Sequence, residues 1–131
     1  MNTKQIGEKS EAKVLSKFLD MGWIVLTPFG DNQRYDLVID RGDGFERVQV
    51  KTGKLKNGGI NFPTASSYAH RGGKRRTYYG ESDLFACYSP DTNKVYLLNV
   101  DDCPSNSMKL RINPTKNGQS QNVVFAKDHE I

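Results

Sequence analysis

Residues 35–51 read YDLVIDRGDGFERVQVK, two β-prone runs on either side of the turn-forming residues 41–44. This pattern predicts an antiparallel hairpin. Whether the loop is the two residues 42–43 or the four residues 41–44, Asp40 faces Phe45 and Asp36 faces Gln49. Directly opposed residues point to the same side of the sheet, with Cβ atoms about 4.5–5.5 Å apart.

Alternation along the second strand then predicts that Gln49 and Lys51 share the face of Asp36, while Val48 and Val50 point to the other face. A register slip of two residues keeps this arrangement, whereas a loop with an odd number of residues breaks it. A carboxylate, an amide oxygen and an ammonium held together on strands suit a hard metal ion and a phosphate. The hairpin therefore predicts a functional site.

Residues 3–21 are predicted to form an amphipathic helix that begins after an N-cap at Thr3 and ends at Gly22. Its apolar stripe consists of Ile6, Val14, Leu15, Phe18 and Leu19. Spacing relative to that stripe places the Glu11 carboxylate on the inward side, where a charge is costly unless it is paired. Glu8, near the edge of the stripe, is the competing candidate, and a position of Glu11 at the margin of the stripe fits the spacing equally well.

The positive charge is concentrated in residues 51–80, which contain seven Lys or Arg and no acid, although the formal net charge is only +4. Such a block indicates a polyanionic partner. The predicted DNA contacts in and beside it are Lys54, Lys56, Asn61, Arg71, Lys74, Arg75 and Arg76, with Tyr68, Tyr78 and Tyr79 available for stacking. We expect a hairpin at 60–62 to enter the major groove, with Asn61 and Lys56 at base edges. The alternative is a solvated loop.

Further β-prone runs lie at 23–27, 82–88, 94–100 and 108–112. The strand through Lys51 is expected to continue to Lys56, with a second turn at 57–59. Cys87, within an apolar run, is expected to be a small core residue. The length of 131 residues fits one domain, 1–131. No segment approaches 18 apolar residues, and neither Cys87 nor Cys103 belongs to a metal-ligand spacing. These features favour a cytoplasmic, reducing environment and no membrane partner.

An inward glutamate on a helix, followed by Asp36 and then by Gln49-Val50-Lys51, resembles the PD-(D/E)xK nuclease superfamily. The chain is most similar to its small group I intron-encoded homing endonucleases, in which Gln replaces the usual acid. The stretches QVKTG (49–53), GESDLFACY (80–88) and LRINPTKN (110–117) extend the resemblance over most of the chain.

The resemblance implies an α/β (α+β) fold: a restriction-endonuclease-like core with a mixed β-sheet flanked by helices, built on an α-β-β-β-α-β unit. The implied activity is cleavage of double-stranded DNA that leaves a 5′-phosphate and a 3′-hydroxyl. The implied catalytic residues are Glu11, Asp36, Gln49 and Lys51. The chain departs from the pattern at Tyr35, where the family name has Pro, and at the neutral Gln49, which removes one negative charge and leaves the number of metal ions open.

In this interpretation Mg²⁺, for which Mn²⁺ can substitute, is bound chiefly by Asp36, with the Gln49 carbonyl and Glu11, directly or through water, as further ligands. The metal would polarise the scissile phosphate and activate a water. Lys51 would orient that water or neutralise the charge that develops on the phosphorane. A homo-oligomer, dimer or tetramer, is expected from the resemblance and from half-site symmetry.

Two other hypotheses remain open from the sequence. A Holliday-junction resolvase or another structure-specific nuclease uses a similar core. A non-catalytic DNA-binding module would keep the basic block and use Asp36 and Lys51 as an exposed ion pair, which contributes less than about 1 kcal/mol.

Overall fold

The computed structural model describes residues 1–67, 74–113 and 123–131. These contain one α-helix, α1 (Thr3–Asp20), two short 3₁₀ helices (Val100–Asp102 and Ala126–Asp128) and ten strands. The strands are β1 (Ile24–Leu26), β2 (Leu37–Asp40), β3 (Phe45–Thr52), β4 (Lys54–Lys56), β5 (Gly59–Pro63), β6 (Ala65–Ser67), β7 (Arg75–Thr77), β8 (Leu84–Ser89), β9 (Lys94–Asn99) and β10 (Ser107–Arg111).

The helix begins at Thr3, as predicted, but its N-cap lies one residue earlier than expected. Asn2 is the N-cap: its side chain accepts from the Gln5 amide, and the Gln5 side chain accepts from the Asn2 amide. This reciprocal capping box satisfies two free backbone donors, which a Thr3 cap would leave to water. At the other end Gly22 adopts a φ of +79°, which allows the chain to turn into β1.

The buried face of α1 is narrower than the predicted stripe. Ser10, Val14 and Phe18 are buried, whereas Ile6 and Leu19 are exposed. A helix that rests on a single sheet face buries only the residues nearest that face, so the outer members of a broad stripe remain in solvent.

A five-stranded mixed sheet has the order β1-β2-β3-β8-β9. The β2–β3 register, with Asp40 opposite Phe45 and Leu37 opposite Val48, is the predicted one. Strand β3 runs parallel to β8, and the remaining pairs are antiparallel. Every residue of β8 is buried because this strand lies inside the sheet and is covered on both faces.

Two apolar clusters cover the faces of this sheet. Val14 and Phe18 of α1 pack with Leu37, Ile39 and Val48 on one face. On the other face, side chains of β5 and β10 pack against alternate residues of β8 and β9. The result is a layered α+β fold in which α1 and a second, smaller sheet lie on opposite sides.

The smaller sheet has the order β10-β5-β4. The predicted continuation of one strand from Lys51 to Lys56 is wrong, because Gly53 separates β3 from β4 and the chain changes sheets there. The predicted second turn is confirmed: Asn57 and Gly58 both have positive φ, +52° and +78°, as a two-residue type I′ hairpin requires.

One difference from the expected α-β-β-β-α-β unit concerns the connection between β3 and β8. Its described residues form strands β4 to β7, and the described part of the chain contains no second α-helix. The mixed sheet of the expected fold is present. In the described residues, α1 is the α-helix that flanks it, where more than one flanking helix was expected.

Both cysteines are buried free thiols, as expected for Cys87. Burial raises the pKa of Cys87 to about 12 and the pKa of Cys103 to about 11. Within the described ranges, no helix has the length and apolar character needed to cross a membrane.

Candidate active site

Asp36 lies immediately before β2. At this point the β2–β3 pairing ends, and β3 continues past Val48 to Thr52. Its amide donates to the Val48 carbonyl at 2.8 Å, and its Oδ2 accepts from the Val50 amide at 2.9 Å. The carboxylate is half-buried, and burial raises its pKa, opposed by the Val50 hydrogen bond and by the charge of Lys51. The backbone thus fixes a carboxylate that remains partly accessible.

Glu11 faces this carboxylate from α1. Burial raises the Glu11 pKa, and the negative charges of Asp36 and then Glu8 raise it further. Adjacent Ser10 is buried and shares a hydrogen bond with Thr52 at 2.5 Å, which fastens this turn of the helix to β3. Glu8 itself is exposed, so the structure favours Glu11 over Glu8 as the inward glutamate.

Glu11 and Asp36 line one open cavity of about 240 Å³ beneath the loop that follows β1. Asp31 and Gln33 of that loop form part of the wall. The cavity therefore presents two carboxylates that repel each other to solvent, in a space large enough for an ion, water and part of a phosphate.

Lys51 approaches Asp36 from β3. Its charge lowers the pKa of the Asp36 carboxyl, which places the two groups in electrostatic contact. The ammonium donates to the Tyr78 hydroxyl at 3.1 Å and lies 4.6 Å from the centre of that ring. The lysine is thus held at a defined place beside the carboxylate.

Gln49 of β3 is half-buried. The predicted pairing of Asp36 with Gln49 is not part of the observed register, which ends with Leu37 opposite Val48, because the Asp36 amide donates to the Val48 carbonyl instead. Its Nε2 donates to the Val50 carbonyl at 3.4 Å. That bond engages the amide nitrogen and leaves the carbonyl oxygen as the atom suited to a metal. Asp36 thus shares a cavity with Glu11 and feels the charge of Lys51, whereas Gln49 is connected to them only as a neighbour of Val48 and Val50 in β3.

The donor set fits a hard divalent cation. Mg²⁺ is usually held by one or two carboxylates with water and substrate phosphate completing the shell, and Glu11 and Asp36 supply two. A cation between them would relieve the repulsion that raises the Glu11 pKa. The described ranges contain no cluster of three or more His, Cys, Asp or Glu that could hold a metal, so a dedicated all-protein cage is not present there.

The predicted DNA-binding residues of the smaller sheet lie on its outer face. Asn61 is paired with Lys54 on one side and with Lys109 on the other, so these three side chains form one row across the sheet. Lys56 lies two residues from Lys54 on the same face. The expected two-stranded ribbon is a three-stranded sheet, because β10 also pairs with β5.

Asn61 is engaged within its own hairpin, donating to the carbonyls of Lys56 at 3.1 Å and Gly59 at 3.0 Å. Its Nδ2 therefore braces the turn. Lys54 and Lys56 are exposed.

The other predicted DNA contacts lie in or near β7. Lys74, Arg75 and Arg76 are exposed; Arg75 donates to the Asn106 carbonyl, and Arg76 is paired with Glu81 at 2.6 Å. Arg71 and Tyr68 lie outside the described residues. These arginines present charge while also stabilising the β6–β7 hairpin.

Sequence reasoning misjudged Tyr78 and missed two other residues. Tyr78 was expected to stack against DNA, but it is buried with 4 % exposure in the core against Phe85. Arg34 stacks on the Tyr78 ring at 4.1 Å, and Lys109 completes the row with Lys54; neither was predicted. Cross-strand pairing of β10 with β5 was the missing information for Lys109.

The family model for PD-(D/E)XK endonucleases matches residues 1–131, the whole chain. The protein belongs to the PD-(D/E)XK endonuclease family. Its fold is similar to that of a solved bacterial homing endonuclease, I-Ssp6803I, with a TM-score of 0.81 and 24 % sequence identity over 99 % of this chain and 89 % of that one. No curated protein matches the chain.

Membership in the family makes this protein an endonuclease, in agreement with the resemblance drawn from residues 36–51. The similarity to the solved structure supports the restriction-endonuclease-like fold. This chain departs from the family motif at Tyr35 and Gln49, and both residues are half-buried.

Proposed function

We propose that this PD-(D/E)XK endonuclease is a site-specific, homing-type enzyme that hydrolyses phosphodiester bonds of double-stranded DNA with Mg²⁺. One observation carries the proposal: the half-buried Asp36 carboxylate is fixed by the Val50 amide, shares an open cavity with Glu11 and feels the charge of Lys51. A pair of acids beside a cation, open to a cavity, suits metal-assisted phosphate hydrolysis.

In the proposed mechanism Asp36 is the principal metal ligand, with Glu11 and the Gln49 carbonyl as further ligands. Mg²⁺, or Mn²⁺ in its place, supplies Lewis-acid activation of the scissile phosphate and of the attacking water. Lys51 orients the water or neutralises charge that develops on the phosphate. Its ammonium stabilises that charge without reorganising during the reaction.

The outer face of the β10-β5-β4 sheet supports DNA recognition in the proposed function. Three strands about 4.8 Å apart span roughly 10 Å, which fits a major groove about 12 Å wide. Lys54, Lys56 and Lys109 place positive charge around Asn61 on that face. Lys74, Arg75 and Arg76 would add phosphate contacts beside it, each steepening the salt dependence of binding.

We further propose that the enzyme acts as a homo-oligomer, dimer or tetramer. A chain of 131 residues covers a short stretch of duplex, and two symmetry-related copies would read two half-sites. I-Ssp6803I, whose fold this chain resembles, is a bacterial homing endonuclease, which agrees with the homing-type activity proposed for this protein.

The experiment that tests this function is cleavage of a randomised-site duplex library, with sequencing of the ends produced. We expect Mg²⁺-dependent cutting at one sequence, with 5′-phosphate and 3′-hydroxyl ends, and none in EDTA. Cleavage that follows four-way junctions regardless of sequence would instead identify a resolvase. Binding without cleavage of any substrate would leave a DNA-binding module.

A further inference from the structure

Tyr78 is a buried aromatic residue whose hydroxyl points at the candidate active site. Its ring packs edge-on against Phe85, with centroids 5.6 Å apart and planes at 87°. A tyrosine held in this way by the core has little rotational freedom. Its hydroxyl is therefore a fixed reference point, and the group that meets it is the Lys51 ammonium, 3.1 Å away.

The Lys51 side chain requires a contact beyond its own backbone to fix the position of its ammonium group. A lysine side chain has a flexible four-carbon stem and a strongly hydrated point charge. Strand β3 fixes only its Cα–Cβ direction. The Tyr78 hydroxyl accepts one of the three ammonium protons, and the ring contact at 4.6 Å adds a cation–π attraction. The other two protons remain for the carboxylate and a phosphate.

Besides Phe85, a second residue packs on the Tyr78 ring: Arg34, which precedes Asp36 by two residues. Its guanidinium stacks 4.1 Å from the ring centre. It also donates to Ser66 at 2.7 Å and to the Thr77 carbonyl at 2.8 Å. Arg34 thus holds the ring against both strands of the β6–β7 hairpin.

We propose that Tyr78 is the positioning residue for Lys51: its hydroxyl, held by Phe85 and Arg34, sets where the ammonium stands relative to Asp36. The proposal rests on the proposed nuclease function, in which Lys51 acts on the scissile phosphate. It assigns Tyr78 no contact with substrate.

The test is Tyr78→Phe, which removes the hydroxyl and keeps the ring. Tyr79→Phe is the matched control, because the neighbouring Tyr79 hydroxyl donates to the Cys103 carbonyl at 2.5 Å. We expect the single-turnover cleavage rate to fall roughly 10- to 100-fold in Tyr78→Phe, as for loss of a hydrogen bond to a charged group. DNA affinity in Ca²⁺ and the Tm should match those of the Tyr79→Phe control.

Two further readouts separate positioning from a structural role. In the metal-free protein, NMR relaxation should show that the Lys51 Cε group is more mobile in Tyr78→Phe than in the wild type. In Tyr79→Phe its mobility should equal that of the wild type. In a Lys51→Ala background, Tyr78→Phe should cause no additional loss of the residual rate. Equal losses in both backgrounds, or an unchanged Lys51 signal, would overturn the proposal.

The outcomes also distinguish this proposal from the function on which it rests. If Lys51→Ala slows cleavage and Tyr78→Phe does not, the positioning role alone is wrong. If Lys51→Ala cuts at the wild-type rate, the proposed catalytic function is wrong whatever Tyr78 does.

Discussion

Replacement of Gly53 by alanine tests how the strand that carries Gln49 and Lys51 is joined to the smaller sheet. Gly53 connects β3 with β4 and donates its amide to the Tyr88 carbonyl at 2.8 Å. A Cβ at this position would lie 2.6 Å from the Cys87 Sγ and closer still to the Ile60 Cγ2. Ordinary contacts between such atoms begin near 3.5 Å, so both neighbours would have to move by about 1 Å.

Neither neighbour of Gly53 has room to move, since Ile60 and Cys87 are fully buried. Overpacking a filled core costs about 1–3 kcal/mol, and two rigid neighbours place Gly53→Ala at the upper end of that range or above it. The displaced end of β3 also carries Lys51, so we expect slower cleavage in addition to lower stability.

Gly7→Ala is the matched control for this substitution. Gly7 lies inside α1, and a Cβ there has nothing within 4 Å. Alanine in a helix interior is favoured over glycine by about 0.5–1 kcal/mol. The same chemical change should therefore stabilise the protein at position 7 and destabilise it at position 53.

Urea unfolding curves of the two variants and the wild type measure both effects as shifts in midpoint at an unchanged slope. A Gly53→Ala variant as stable as the wild type would refute the close packing of the two sheets. A destabilising Gly7→Ala would refute the description of α1.

Three further predictions concern charge. Burial raises the folded-state pKa of Asp36, so its ionised form destabilises the metal-free protein above that pKa, and Asp36→Asn should raise the Tm in EDTA at neutral pH. This advantage should fade as pH falls through the raised folded-state pKa and vanish below the carboxyl's ordinary pKa, and Mg²⁺ should reverse it by stabilising only the wild type. Arg47 lowers the pKa of Asp83, so this partly exposed pair stabilises the fold by about 0.5–1 kcal/mol above the ordinary carboxyl pKa. In denaturant titrations at pH 7, Asp83→Asn should be less stable than the wild type by this amount. The difference in free energy of unfolding should disappear as pH falls through the folded-state pKa of Asp83. Lys109→Ala should reduce the log–log salt slope of DNA binding by about 0.9 in fluorescence anisotropy, whereas Lys94→Ala, which breaks an ion pair with Glu130, should leave it unchanged.

The hairpin was predictable because two local rules determine it. Turn residues at 41–44 set the register, and the two-residue period of a strand then assigns Val48 and Val50 to one face and Gln49 and Lys51 to the other. The observed β2–β3 pairing follows this register. The inward position of Glu11 was ambiguous from helical spacing, and the cavity that Glu11 shares with Asp36, together with the exposure of Glu8, favours it.

Features that depend on contacts between distant segments were not predictable. The role of Lys109 depends on β10 pairing with β5, and the burial of Tyr78 depends on its packing against Phe85. Neither segment carries a periodicity that indicates its partner. Gly53 read as part of a continuous strand because the closeness of Ile60 and Cys87 is a tertiary property.

The central claim is that Asp36 and Lys51 act on a DNA phosphate together with a divalent metal. The most direct measurement is the Mg²⁺-dependent cleavage rate of a plasmid that carries the recognition site, compared among the wild type, Asp36→Asn and Lys51→Ala. We predict that each substitution lowers the rate by about 10²–10³-fold or more while both variants still bind the DNA. Cutting by both variants at the wild-type rate would contradict the account.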